Sequence, residues 1–194
     1  MHQALMIAAL FASLSATSGA DGEDAGSERT PPNERRPIDS GLFVADGPDV
    51  RRFELTADVP APPATVFATL SDGDAFFRTF SKEWAELQAD LDLAIGGNYE
   101  WLFDGKVGSN GCQILSYIPN RMISFTWNTP PNLADARERR TWVVVELEPS
   151  ATGTAVRLTH LGFGSGPEWD DAYGYFQNAW GFVLKTLGKH LGGT

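Results

Sequence analysis

From residue 51 onward the chain alternates. Phe53, Leu55 and Ala57 are separated by Glu54, Thr56 and Asp58, the period-two pattern of a strand with one buried face. Pro60-Ala61-Pro62-Pro63 stops it, and Pro63 suits the first turn of a helix carrying Val66, Phe67 and Leu70. Asp72-Gly73-Asp74 closes that helix, and a second short one is predicted over 75–80. Further strands are predicted over 87–93, 98–103, 111–117, 121–128, 141–148 and 154–161. They are punctuated by Gly96-Gly97, Asp104-Gly105, Pro119-Asn120, Pro130-Pro131 and Thr152-Gly153. After Gly164-Ser165-Gly166-Pro167 the period changes. Trp169, Tyr173, Phe176, Trp180, Val183, Leu184, Leu187 and Leu191 recur every three or four residues, one stripe of a long helix.

A helix so rich in aromatic residues needs a wide apolar surface to lie on, and the strands supply one. The fold class expected is α+β: a curved antiparallel sheet wrapped around a long C-terminal helix, with two short helices after the first strand. Such layers leave a cavity between them, typically about 300 to 1,000 Å³. Strand alternation assigns its walls. Tyr99, Trp101 and Phe103 face inward, as do Ile123, Phe125 and Trp127, and Thr141, Val143, Val145 and Leu147. The short helices contribute Phe76, Phe77 and Phe80; the long helix contributes Tyr173, Phe176 and Trp180. In the strand before the long helix, Arg157 and Thr159 point to solvent, which puts His160 inside with Val156 and Leu158. The candidate ligand-binding set is therefore Phe76, Phe80, Tyr99, Trp101, Phe125, Trp127, His160, Tyr173, Phe176 and Trp180. His160 is the ionisable member. Burial lowers an imidazole's pKa, which suits a ligand contact, a general base, or a neutral structural histidine bonded to a backbone carbonyl, Tyr173 or Tyr175.

Composition narrows the possibilities. The 194 residues hold 6 Trp and 12 Phe, so core and cavity are aromatic. A net charge of −10 argues against nucleic acid and anionic membrane surfaces as partners. Half of that charge falls within 21–50, a stretch of Asp, Glu, Pro, Gly and Ser that reads as a disordered acidic linker. Before it, the apolar run Ala4 to Leu14 and the small residues Ser18-Gly19-Ala20 ahead of Asp21 read as a cleaved signal peptide over 1–20. That run is short for a membrane span, so no stable membrane insertion is expected after its removal, and the location implied is periplasmic or secreted. The folded domain is 51–194. The single cysteine, Cys112, reads as a small buried hydrophobe. No His-x-x-x-His or Cys-x-x-Cys spacing calls for a metal, and no cofactor is indicated. Gly162-Phe163-Gly164-Ser165-Gly166 fits neither a nucleotide loop nor a nucleophile elbow. Gly174, Gly181 and Gly188 line one edge of the long helix, where an exposed edge is the simplest reading.

The order of elements resembles the START-like helix-grip superfamily (SRPBCC). Within it, the chain is similar to the branch named after the C-terminal domain of the activator of the heat-shock-protein-90 ATPase. The residues carrying the resemblance are Val59 through Phe67, Leu93-Ala94-Ile95-Gly96-Gly97-Asn98-Tyr99, and Pro119-Asn120-Arg121-Met122-Ile123-Ser124-Phe125-Thr126-Trp127. Glu146-Leu147-Glu148-Pro149, Thr159 through Phe163, and Ala179-Trp180 with Leu184 and Leu187 complete it, over roughly 51 to 192. The superfamily hosts binders, cyclases and chaperone regulators. The leading expectation is an exported protein that binds an apolar or aromatic small molecule without catalysis. A polyketide-cyclase or dehydratase-like enzyme, using His160, Tyr173 or Tyr175 to move protons, is the alternative, and a chaperone-activating interaction module is the second.

Overall fold

The computed structural model describes residues 50–103 and 107–192. The expected signal peptide, all of the expected linker except Val50, and the Asp104-Gly105 turn lie outside the described residues. The chain opens with β1 (Arg51–Val59), followed by α1 (Pro63–Ser71) and α2 (Gly73–Phe80). Five strands come next: β2 (Leu87–Leu91), β3 (Tyr99–Phe103), β4 (Val107–Gly108), β5 (Ile114–Ile118) and β6 (Met122–Trp127). A single helical turn, α3 (Ala134–Arg137), precedes β7 (Thr141–Ser150), β8 (Gly153–Phe163) and the long helix α4 (Pro167–Leu191). The α+β helix-grip architecture is the one anticipated. The turn α3 and the two-residue β4 are additions, since neither is long enough to leave a periodic pattern.

The strands form two hydrogen-bonded pieces where one sheet was expected. Five run antiparallel in the order β1-β8-β7-β6-β5, and three in the order β2-β3-β4. A bridge between Asn98 and Gln113 joins them, with backbone bonds from Tyr99 N–H to Cys112 O and from Ile114 N–H to Gly97 O, both 2.9 Å. The Gly96-Gly97 turn lets the chain bend here, because a Cβ on Gly97 would sit 2.2 Å from Asp92 O. Side chains close the seam: the Tyr99 ring stacks on Phe125 at 3.8 Å, and its hydroxyl donates to Leu70 O at 2.9 Å.

Inward residues line up across the five strands. Phe53 pairs with His160, His160 with Val143, Val143 with Phe125, and Phe125 with Ile114. All five are buried, so the row forms a continuous floor for the helix. Above it, α4 turns Phe176, Trp180, Val183, Leu184 and Leu187 downward. Its ends are tethered. Arg51 pairs with Asp170 at 2.7 Å and lies over the Tyr173 ring, while Glu83 accepts from Lys189 and His190 near the C-terminus. Gly174 and Gly181 have open space where a Cβ would be, in keeping with an exposed edge.

Asp72 separates the two short helices by serving both. Its backbone N–H caps α1 by donating to Ala68 O at 2.9 Å, and its carboxylate caps α2 by accepting from Ala75 N at 2.8 Å. In α2, Phe76 and Phe80 share the inner face at a spacing of four. Phe77, expected inside, is instead 48% exposed, because the next position on a helix is rotated by about 100°.

Gly162 holds β8 in a conformation that its neighbours require. Its φ is +91°, and a Cβ there would lie 2.4 Å from the Trp142 ring. We expect Gly162→Ala to lower unfolding free energy by about 1–3 kcal/mol, the cost of left-handed strain at a non-glycine residue, read as a drop in the denaturant midpoint. An unchanged midpoint would show that β8 relaxes freely at this point.

Candidate functional site

A narrow cleft opens where α4 parts from the β3–β4 hairpin. On the hairpin side it is walled by Trp101, Phe103, Gly108 and Ser109; α4 supplies Tyr175, Phe176, Ala179, Trp180 and Val183. Trp84, from the turn after α2, and Trp127, at the end of β6, close its ends. The free volume is about 40 Å³, room for a few water molecules and far short of the several hundred expected. Tryptophans account for the difference. Trp127 lies 5.1 Å from both Trp101 and Trp180, which are themselves 5.5 Å apart, with rings tilted or edge-on. Bulky rings were expected to leave gaps; tilted and edge-to-face packing lets these three fill the space.

Several observations fix the cleft's chemistry. Among the described residues no charged side chain lines it. Burial pushes the Tyr175 phenol up, so it stays protonated. Arg137 reaches the rim and binds backbone: its guanidinium donates to Thr129 O, to Gly108 O at 2.8 Å and to Asn110 Oδ1 at 3.3 Å. The Ser109 hydroxyl accepts from Trp101 N at 2.7 Å. Two buried indole N–H groups, on Trp84 and Trp101, make no hydrogen bond. Trp101's lies beside the Tyr99 hydroxyl without bonding geometry; Trp84's has no acceptor among the described residues.

Below the cleft sits a polar chain. The Trp180 indole N–H donates to His160 Nδ1 at 3.0 Å. That fixes the tautomer, so His160 Nε2–H donates to Thr141 Oγ1 at 2.7 Å. The Thr141 hydroxyl in turn donates to Trp127 O at 3.2 Å. Every donor and acceptor of the imidazole is satisfied. Burial holds its pKa well below the ordinary 6.5, so it is neutral.

Of the residues singled out from sequence, Trp101, Trp127, Phe176 and Trp180 line the cleft. Phe76 and Phe80 lie behind it, Phe76 packing on Trp101 and Phe80 on Trp84. Tyr99 and Phe125 form the seam between the two pieces of sheet. Tyr173 packs on Phe53 and donates to Arg52 O at 3.0 Å, away from the cleft. His160 is beneath it, bonded to Trp180 and Thr141 rather than to a backbone carbonyl or a tyrosine. Sequence reasoning missed Trp84, Gly108, Ser109, Ala179 and Val183 as liners. Trp84 had a signal: it extends the four-residue spacing of Phe76 and Phe80. Ser109 had none. Cys112 is buried, and burial pushes its thiol up to about 12, leaving it inert. Among the described residues no cluster of His, Cys, Asp or Glu is arranged to hold a metal, and no helix is long and apolar enough to cross a membrane.

Residues 60–192 match the family described as Activator of Hsp90 ATPase homolog 1-like protein. Protein MLL2253 of Mesorhizobium loti is 24% identical at a TM-score of 0.59, over 73% of this chain and 96% of its own. Protein NE0264 of Nitrosomonas europaea is 17% identical at 0.54, over 80% and 97%. PFC0360w, an HSP90 activator from Plasmodium falciparum, is 22% identical at 0.50, over 66% and 86%. At these identities the likeness extends to the fold alone. No curated protein matches the chain.

The His160 chain has a pH signature. The unfolded imidazole binds a proton near pH 6.5, the folded one only well below it, so stability is full above about pH 6.5 and falls as pH drops through that value. The slope approaches about 1.4 kcal/mol per pH unit. His160→Gln removes this component: the stability difference between about pH 8 and about pH 5 shrinks, and the variant loses about 1–3 kcal/mol where Trp180 N–H is left unpaired. Denaturant unfolding of both proteins checks this; parallel pH profiles would mean that His160 is protonated in the native state.

Proposed function

Because the chain belongs to the Activator of Hsp90 ATPase homolog 1-like family over residues 60–192, we propose that it is a binding module whose cleft between α4 and the β3–β4 hairpin takes a small apolar or aromatic molecule. The family fold supports a ligand-binding or an activator-type module. The observation that favours the first is the lining: uncharged aromatic walls around a buried indole N–H that no described residue satisfies. A volume of about 40 Å³ means that a wall moves when the occupant arrives. The hairpin is the wall suited to move, since β4 is two residues long and its ladder to β3 is Leu102–Gly108 and Phe103–Val107.

A cyclase-like enzyme needs a group to carry protons at the ligand. Among the described residues no carboxylate, histidine or cysteine lines the cleft, and His160 is engaged at both nitrogens. An activator role has its support in the family and in a fold shared with an HSP90 activator. Export weighs against it, because that chaperone works with ATP in the cytosol. Export belongs to the same proposal and rests on the apolar run Ala4 to Leu14 followed by Ser18-Gly19-Ala20.

A neutral naphthylamine dye added to the protein should brighten and saturate at one site. Ala179→Trp, which fills the cleft from α4, should weaken that binding by about tenfold or more, equivalent to at least about 1.4 kcal/mol. No saturable binding to the wild type would reject the cleft as a site. For export, the intact mass of the chain recovered from the envelope or medium should correspond to a start at Asp21. A full-length chain confined to the cytoplasm would reject export and revive the activator reading.

A further inference from the structure

The polar atoms at the cleft are unbalanced. Trp84 is 5% exposed, its indole N–H is buried with no partner, and its ring is one of the walls. Its neighbours are rings: Phe80 at 5.5 Å, Phe182 at 5.4 Å and Phe103 at 6.4 Å. A buried N–H left without an acceptor carries a desolvation penalty comparable to a lost hydrogen bond. None of the described residues offers one. The Ser109 oxygen is taken by Trp101 N, and the Tyr175 hydroxyl on the opposite wall can donate or accept. Neither hydroxyl meets the Trp84 indole N–H. Among the described residues no cation lines the cleft either, and Arg137, which reaches Gly108 O, is turned onto backbone and amide oxygens. An anionic occupant would be buried without a counter-charge, a far larger penalty than a missing hydrogen bond.

We infer that the occupant is a neutral, flat apolar molecule bearing a carbonyl-type oxygen, and that the Trp84 indole N–H donates to that oxygen. This rests on the cleft being a binding site, as proposed above, and adds the chemical class of what it takes. Tryptophan rings supply the flat apolar walls, and the unmet Trp84 donor sets orientation. A hydrocarbon of the same shape fits the walls and leaves the N–H unmet. A carboxylate of the same shape meets the N–H and brings an unpaired charge.

Acetylnaphthalene, ethylnaphthalene and naphthoic acid share one skeleton and differ in these respects. Their affinities are measured on the full chain and on Trp84→Phe, which keeps a ring and removes the donor. Trp84→Phe should weaken the ketone by about tenfold more than the hydrocarbon, because both lose the same wall area and only the ketone loses the hydrogen bond to a buried donor. Naphthoate should bind the wild type more weakly than the ketone at neutral pH. In the wild type, the Trp84 indole N–H resonance should move downfield with the ketone and not with the hydrocarbon, a reading that does not depend on the variant's folding. Equal losses for ketone and hydrocarbon, or an indole resonance indifferent to the ketone, would overturn the donor while leaving the cleft a site. Tighter binding of naphthoate would overturn neutrality. No binding of any of the three would overturn the cleft itself, and this inference with it.

Discussion

The hydrogen bond from Trp180 to His160 joins the two layers of this fold by a polar contact at the centre of an apolar core. Hydrophobic burial holds α4 on the sheet, but burial is non-directional and tolerates sliding and rotation. An indole N–H meeting an imidazole nitrogen at 3.0 Å does not. Because the imidazole continues to Thr141 and then to the Trp127 carbonyl, one chain of contacts fixes helix, β8, β7 and the end of β6. Its full satisfaction matters as much as its existence, since a half-paired polar group in this setting would cost more than an apolar core without one.

That chain also sets the cleft. Trp180 and Trp127 are two of its walls, and both are positioned from below. Arg137 acts from the side: by binding Gly108 O and Asn110 Oδ1 it holds the far strand of the hairpin where a Cβ on Gly108 would collide with the Trp101 carbonyl. Glu168, in the first turn of α4, accepts from Ala136 N at 2.9 Å and ties α3 to the long helix. The cleft therefore has one side built on α4 and the five-stranded sheet, and another, the short strand β4, whose place depends on Arg137 and a two-pair ladder.

Period-two alternation in β1, β7 and β8 left little choice about which face is buried, and the stripe of α4 is regular over its whole length, so sheet, helix and their facing residues were legible. The division of the strands into two pieces was not. It depends on a bend at Gly96-Gly97 and on Tyr99 crossing the seam to Phe125, contacts between segments that alternation treats independently. The position of the cleft was legible only in part for the same reason. Phe76, Phe80 and Tyr99 obey the inward pattern as well as Trp101 and Trp180 do. What separates wall from core is how far apart two inward faces are held, and that distance lies in the tertiary arrangement. The imidazole's role was hidden likewise, because its partners Trp180 and Thr141 come from other elements.

The smallness of the cleft bears on what kind of binder this is. A preformed pocket of several hundred Å³ in an isolated domain would stand partly empty, and its lining would lose dispersion contacts. Three tryptophans in mutual contact avoid that loss by filling the space with one another. An occupant must replace ring-to-ring contacts by ring-to-ligand contacts, so shape alone brings little net gain; affinity has to come from something the closed state lacks. The buried indole N–H of Trp84 is such a deficit. A site closed by its own aromatic walls and holding an unmet donor discriminates against plain hydrocarbons, however well they fit, because they restore the packing and leave the deficit in place.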